Sequence, residues 1–132
     1  MSFIVVRISG KTVEAGFIFE KLDVYQRALE FARIVHTSTR SSKAPRSWTD
    51  QFVRAATSVV LNIAEGAGRI HKAEKRNFYY IAKGSTFECV PLIELGLSLG
   101  VLDDRQRNDF RNTCLSIAQM LTKLIQSVER QK

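Results

Sequence analysis

The chain has 132 residues, 45% of them hydrophobic, and a formal net charge of +7. That length suits one domain with its own core, and the apolar fraction is too high for disorder. Two cysteines exclude a disulfide framework or a cysteine-rich zinc cluster, and no apolar run reaches the roughly 18 residues that span a bilayer.

A sequence pI of about 9.8 favours acidic partners such as nucleic acid, as a property of the surface field rather than of the fold. Cys89 and Cys114 each occupy an apolar helical position, which reads as buried free thiols and suits a reducing cytoplasm.

Residues 1–16 differ from the rest. Phe3, Ile4, Val5, Val6 and Ile8 are β-branched or aromatic, and Gly10 and Gly16 follow. A short strand, an arm lying on a neighbouring subunit and an upstream extension without a packing role all fit. A lone strand has no partner here, so 1–16 is expected to be a peripheral extension or arm, with the domain in 17–132. One arginine and no long apolar core do not make a signal peptide.

Helix one is expected over Lys21–Thr37, with Leu22, Tyr25, Ala28, Leu29, Ala32 and Val35 on its apolar face and Ile34 beside them. Phe17, Ile18 and Phe19 lead in and can staple its entry. His36 reads as a surface or C-cap residue. Residues 38–48 follow as a loop rich in serine and basic residues, with Trp48 anchoring the next helix and Thr49 as its N-cap.

Helix two is expected from Asp50 to Glu65. Phe52, Ala55, Ala56, Val59, Val60 and Ile63 form its stripe, and Gly66 and Gly68 stop it through a left-handed cap. Asn62 needs a hydrogen bond to a neighbouring helix or to the following turn. Glu65 suits the same network or a base such as Arg54 or Arg69. The Gly66-Ala67-Gly68 run lacks the preceding strand and the Lys-Ser/Thr pair of a nucleotide loop, so a tight helix-to-helix corner is the better account.

Helix three starts near His71–Ala73 and reaches Leu95 or beyond. Phe78, Ile81, Ala82, Ser85, Cys89, Leu92 and Gly96 trace its inner face. Gly84 costs about 1 kcal/mol of propensity relative to alanine, and close helix approach is the expected return. Pro91 predicts a kink, with an end near Val90 as the alternative. Glu88 is placed to pair with Arg54 or with a serine or tyrosine hydroxyl. Asp103 or Asp104 caps a final helix to about Glu129, with Phe110, Cys114, Ile117, Met120 or Leu121, Leu124 and Val128 on one stripe.

Four amphipathic helices with short links predict an up-down-up-down bundle. Tyr25, Leu29, Ile34, Tyr79, Tyr80 and Phe87 exceed what one inward stripe per helix needs, which predicts a subunit interface in a closed homo-oligomer.

Three stretches then stand out together: Leu22-x-Val24-Tyr25-Gln26-x-Ala28; Gln51-x-x-Arg54-Ala55-x-x-Ser58-x-x-x-Asn62-Ile63-Ala64-Glu65-Gly66-x-Gly68-Arg69; and Phe78-x-x-x-Ala82-x-Gly84-Ser85-x-x-Glu88. Their order and spacing resemble the bacterial four-helix-bundle family named after open reading frames in intervening sequences of large-subunit ribosomal RNA genes. That family includes the accessory protein of diversity-generating retroelements. The resemblance covers about Phe19 to Val128; the extension through Gly16 and Pro91 depart from it. It implies an all-α antiparallel bundle in a ring-shaped homopentamer, with no enzyme activity. The retroelement accessory is a basic scaffold for a reverse transcriptase and nucleic acid, a role that would fall here on exposed basic residues and not on the NIAEG signature.

Two basic clusters are the candidate nucleic-acid contacts. Arg40, Lys43 and Arg46 form one; Arg69, Lys72, Lys75, Arg76 and Lys83 form the other, diluted by Glu74. Both suit phosphates rather than base edges. No catalytic residue, cofactor site or metal site is expected, since nucleophile–base pairs, clustered ligands and cofactor motifs are missing from the pattern. The expected partners are further copies of the chain, RNA or DNA, and a protein. A homo-oligomer that docks proteins and has no nucleic-acid role is the alternative.

Overall fold

Apolar residues recurring at three and four positions build four helices: α1 Asp23–Ser38, α2 Arg46–Ala67, α3 Lys72–Ser98 and α4 Asp104–Arg130. The computed structural model describes residues 4–8, 11–40 and 43–131. Ahead of the helices, β1 Ile4–Ile8 and β2 Lys11–Ala15 pair antiparallel, with Val6 opposite Val13. The strand expected to stand alone therefore has a partner in KTVEA. A ladder is made by backbone N–H and C=O groups, so the apolar content of the second segment does not decide it. Phe3 and Gly10 lie outside the described residues.

A single 3₁₀ turn, Ile18–Lys21, joins hairpin to helix. Among the described elements the hairpin touches this turn and none of the four helices. The Phe19 ring packs edge-on against Tyr25 at 4.8 Å and fixes the entry to α1, while Gln26 donates to the Glu20 carbonyl at 2.9 Å.

An aromatic cluster draws three helices together. Phe31 of α1 lies 6.2 Å from Phe52 of α2 and 5.8 Å from Phe110 of α4; Phe52 and Phe110 are 5.5 Å apart. Trp48 joins at 5.5 Å from Phe52 and donates its indole N–H to the Leu92 carbonyl of α3 at 2.7 Å. The remaining core is aliphatic, with Ile63, Ile93, Ile117 and Leu121 fully buried.

That tryptophan bond explains the first difference from the sequence pattern. Helix α2 starts at Arg46, a turn earlier than expected, with Pro45 at the N-cap position and Thr49 already helical. Burying Trp48 against α3 rewards the extra turn, and Pro45 lacks only an N–H that no helix start uses. Thr49 instead donates to the Thr39 carbonyl at 3.5 Å. The connection is shorter than 38–48, and its Ser41 and Ser42 lie outside the described residues.

The glycines also work differently. Helix α2 continues through Gly66 to Ala67, and Gly68 ends it in right-handed geometry, φ −82°. Gly66 is buried: a Cβ there would lie 2.7 Å and 2.8 Å from ring carbons of Tyr79. It is a close-approach glycine, as is Gly96, where a Cβ would meet the Trp48 ring at 2.5 Å. Gly84 is exposed with nothing within 4 Å, so close packing is not its role. The described glycine that does adopt positive φ is Gly100, φ 73°, just beyond α3.

Five of the seven residues expected on the inner face of α3, Ala82, Ser85, Cys89, Leu92 and Gly96, are buried, and the differences lie at its edges. Tyr79 and Ile93 point inward, Ile81 outward, and Phe78 is half-buried. The helix runs unbroken through Pro91. Proline removes the N–H that would bind the Phe87 carbonyl, and both residues are exposed, which leaves that carbonyl on the solvent side. Glu88 is exposed and pairs with neither Arg54 nor a hydroxyl.

Elsewhere sequence and structure agree closely. Asp103 caps α4: its carboxylate accepts from the Gln106 N–H at 2.7 Å, and the Gln106 side chain accepts from the Asp103 N–H at 3.0 Å. The expected α2 stripe is buried throughout. Asn62 donates to the Ser58 carbonyl at 2.8 Å and to its hydroxyl at 3.1 Å, within α2 rather than to a neighbour. Ser58 carries the link onward to Ser85 of α3, 2.7 Å between hydroxyls.

Candidate functional site

Seven of the eight basic residues singled out in the sequence fall near the two ends of α2. Arg40, Lys43 and Arg46 surround its start, and Arg69, Lys72, Lys75 and Arg76 follow its end, about 30 Å away for a helix of 22 residues at 1.5 Å per residue. Lys83 lies about halfway back along α3, two residues before Ser85, which meets Ser58 in mid-α2. The eight do not form one surface patch.

Two of them are committed to helix ends. Lys75 donates to the carbonyls of Gly66 and Ala67, both at 3.1 Å, and so caps α2 from α3. Lys72 reaches the carbonyls of Glu129, at 3.2 Å, and Gln131, beyond the last turn of α4. A helix C-terminus carries partial negative charge and unpaired carbonyls, so an ammonium group is favoured at both places. Burial also lowers the Lys75 pKa below its ordinary value.

Arg69 is engaged as well. It pairs with Glu65 at 2.9 Å and Glu74 at 3.8 Å, and its guanidinium stands 4.8 Å from the Phe78 ring centre. Lys83 lies 5.8 Å from the Phe87 ring centre. Arg40 bonds the His36 ring at 2.7 Å. Arg46 keeps 95% of its side chain exposed beside Asp50 at 3.9 Å. Lys43 is exposed and Arg76 half-buried. The charge was legible in the sequence; the carbonyls that claim Lys75 lie across the adjoining α2–α3 corner, and those that claim Lys72 come from the far end of the chain.

A second feature escapes a composition count. Ala73, Asn77, Tyr80, Gly84, Phe87, Pro91 and Leu95 recur every three or four residues along α3, and all are exposed. Tyr80 is 50% exposed, Phe87 59% and Leu95 48%. The named residues carry no charge and the exposed Glu88 borders them, on a helix whose other face is already core. Leu115 of α4 extends it sideways: with Phe87, Val90 and Ala118 it lines a groove of about 150 Å³ between α3 and α4. Of the excess apolar residues in the sequence, Ile34, Tyr80 and Phe87 are exposed, Tyr25 and Leu29 are half-buried and Tyr79 is buried.

Below the stripe, Glu94 accepts from Arg107 at 2.9 Å and Arg111 at 3.1 Å. The Arg107 hydrogen bond leads in holding the Glu94 carboxyl below its ordinary pKa. A second groove, about 290 Å³, lies between α1 and α4 with Phe31, Ile34 and Phe110 in its walls and Arg27, Glu30 and Asp109 at its rim. Among the described residues no three His, Cys, Asp or Glu side chains are grouped to hold a metal, and no helix is long and apolar enough to cross a membrane.

A family model described as 23S rRNA-intervening sequence protein matches residues 20–123. The chain belongs to that family. The match begins at the 3₁₀ turn and leaves the β-hairpin outside it. None of the curated proteins compared matches the chain. Among solved structures, this intervening-sequence protein is similar to a protein of unknown function from the S23 ribosomal protein family of Bacteroides thetaiotaomicron VPI-5482. The two share 26% identity and superpose with a TM-score of 0.72, over 78% of this chain and 95% of the other.

Proposed function

We propose that this intervening-sequence protein is a non-enzymatic scaffold: an antiparallel up-down-up-down bundle that self-associates, through the outer face of α3, into a ring-shaped homo-oligomer, most simply a pentamer. The uncharged stripe Tyr80, Gly84, Phe87, Pro91 and Leu95 carries the reading, because a helix with a filled inner face has no reason to keep a second apolar face in water. The bundle direction is supported by pairs of helix ends. Trp48 of early α2 meets late α3, and Gly66 of late α2 meets Tyr79 of early α3. Glu94 of late α3 meets early α4, and Lys72 of early α3 meets the end of α4.

The test is a Tyr80→Glu/Phe87→Glu double substitution. Both side chains are exposed in the protomer, so the fold should survive while assembly fails. The expected result is a fall in solution mass to the 15.0 kDa protomer with an unchanged far-ultraviolet spectrum. An oligomer of unaltered mass would remove α3 as the assembly face.

Nonspecific RNA or DNA contact on the same scaffold, beside a protein partner, is the second reading. The net charge of +7 and the outward Arg46 favour it. With Lys72 and Lys75 holding helix ends, the cations to substitute are Arg46 and Arg76. Retention of labelled RNA at low salt should fall in Arg46→Glu/Arg76→Glu and weaken steeply as salt rises. No retention by the parent protein at low salt would end this reading.

A further inference from the structure

A surface that pairs with its own copy closes at two subunits, whereas a larger ring made from one kind of contact joins two different patches head to tail. Self-association through the α3 stripe, on which this inference rests, therefore requires a second patch elsewhere on the protomer. The outer row of α2 does not supply it, because the exposed Leu61 stands there among Arg54, Thr57 and Glu65.

The seam between α1 and α4 does. Among the described residues α1 touches α2 and α4 but not α3, so it lies diagonally across the bundle from the stripe, and one protomer can offer both patches at once. Of the four neighbouring helix pairs, α1 and α4 are the least closely packed. Their seam opens in two places. One is the groove of about 290 Å³, floored by the buried Phe31 and Phe110 and edged by Ile34, which is 44% exposed. The other lies nearer the start of α1, beside Leu22, Met120 and Leu124.

Stripe and groove match in form and in charge. Aromatic anchors seated in pockets carry much of the energy of an interface, and the stripe offers Tyr80 and Phe87. These two stand seven residues apart on one helix, as Arg27 and Ile34 do along the groove, about 10 Å in each case. The α1 bank of the groove carries Arg27 and Glu30, and the α4 bank carries Asp109. By helical position Arg76 and Lys83 flank the stripe on one side and Glu88 on the other, while Glu94 is already held by Arg107 and Arg111. The rim has one cation and two anions, and the free flanks have two cations and one anion. Lys83 stands 5.8 Å from the Phe87 ring centre and so travels with that ring.

We infer that the α3 stripe of one copy of this chain docks into the α1–α4 groove of the next, so that the ring closes head to tail. Tyr80 and Phe87 enter beside Ile34, Lys83 faces Asp109, and Glu88 faces Arg27.

The test uses the full-length protein. Ile34→Glu puts a charge in the groove wall at an exposed position, and the solution mass is expected to fall to 15.0 kDa with an unchanged far-ultraviolet spectrum. Lys83→Cys/Asp109→Cys, its mass checked by light scattering, is treated with a short bismaleimide; the parent, whose two cysteines are buried, is the control. Denaturing electrophoresis is expected to show a ladder from dimer up to the full ring, and no ladder from either single variant. Cross-linked dimers from Lys83→Cys alone would mean that stripe meets stripe and would overturn the inference, as would an assembled double variant without a ladder. Parental mass in Ile34→Glu, with Tyr80→Glu/Phe87→Glu dissociated, would overturn the groove and leave α3 as the assembly face. A parent protein of 15.0 kDa at every concentration would remove both.

Discussion

Gly66 and Gly68 stand two positions apart, and alanine should act on them with opposite sign. At Gly66 the new methyl would sit 2.7 Å and 2.8 Å from Tyr79 ring carbons and 3.1 Å from the Lys75 carbonyl oxygen. Tyr79 is only 2% exposed, so its ring cannot swing aside into water. Overpacking of this kind costs about 1–3 kcal/mol, and the gain in helix propensity returns about 1 kcal/mol. The net expectation is a loss of up to about 2 kcal/mol, or a melting temperature lower by up to about 8 °C. At Gly68 the nearest atoms are carbonyl oxygens at 3.7 Å, and φ is −82°. Alanine fits that geometry and restricts the unfolded chain, so a gain of about 0.4–1 kcal/mol is expected. Urea denaturation followed by circular dichroism, at one fixed protein concentration, reads both. The reasoning is refuted if Gly66→Ala is more stable than the parent, or if Gly68→Ala is the less stable of the two.

Trp48→Phe leaves the Leu92 carbonyl without its 2.7 Å donor in a buried site and should cost about 1–3 kcal/mol by the same denaturation assay. Asp103→Ala removes the acceptor of the α4 capping box and should cost about 1 kcal/mol, with Asp103→Asn losing far less. Burial pushes the Tyr79 hydroxyl from its ordinary 10.0 up to about 12. A raised folded-state value means that its contribution is complete below pH 10 and is lost as pH climbs toward 12. Because each unit corresponds to about 1.4 kcal/mol, that titration should remove roughly 2–3 kcal/mol. Tyr79→Phe should flatten this alkaline decline in a pH series of unfolding curves.

The sequence announced the four helices because each has an apolar stripe of helical period, and it announced the α4 start because Asp103 and Gln106 lie three apart. What it hid was set by neighbours. Trp48 extends α2 by a turn only because a carbonyl of α3 waits for its N–H. Gly66 and Gly68 look alike as a pair of helix stops, yet one accommodates a tyrosine ring and the other an ordinary right-handed end. Helix α3 was hardest to orient: it carries aromatic and aliphatic residues on two faces, so its period alone does not say whether Tyr79 or Ile81 turns inward. That ambiguity and the proposed docking stripe have the same cause. The basic clusters were visible as charge, but the division between cations that hold helix ends and cations left at the surface depends on segments far apart in sequence, such as Lys72 and the end of α4.

The most direct measurement of the central claim is the mass of the native protein in solution, by light scattering across a dilution series. A closed oligomer built on the α3 face predicts one mass, a fixed multiple of 15.0 kDa, that holds as the protein is diluted. A 15.0 kDa particle at every concentration would contradict the account and leave Tyr80, Phe87 and Leu95 without their proposed occupant.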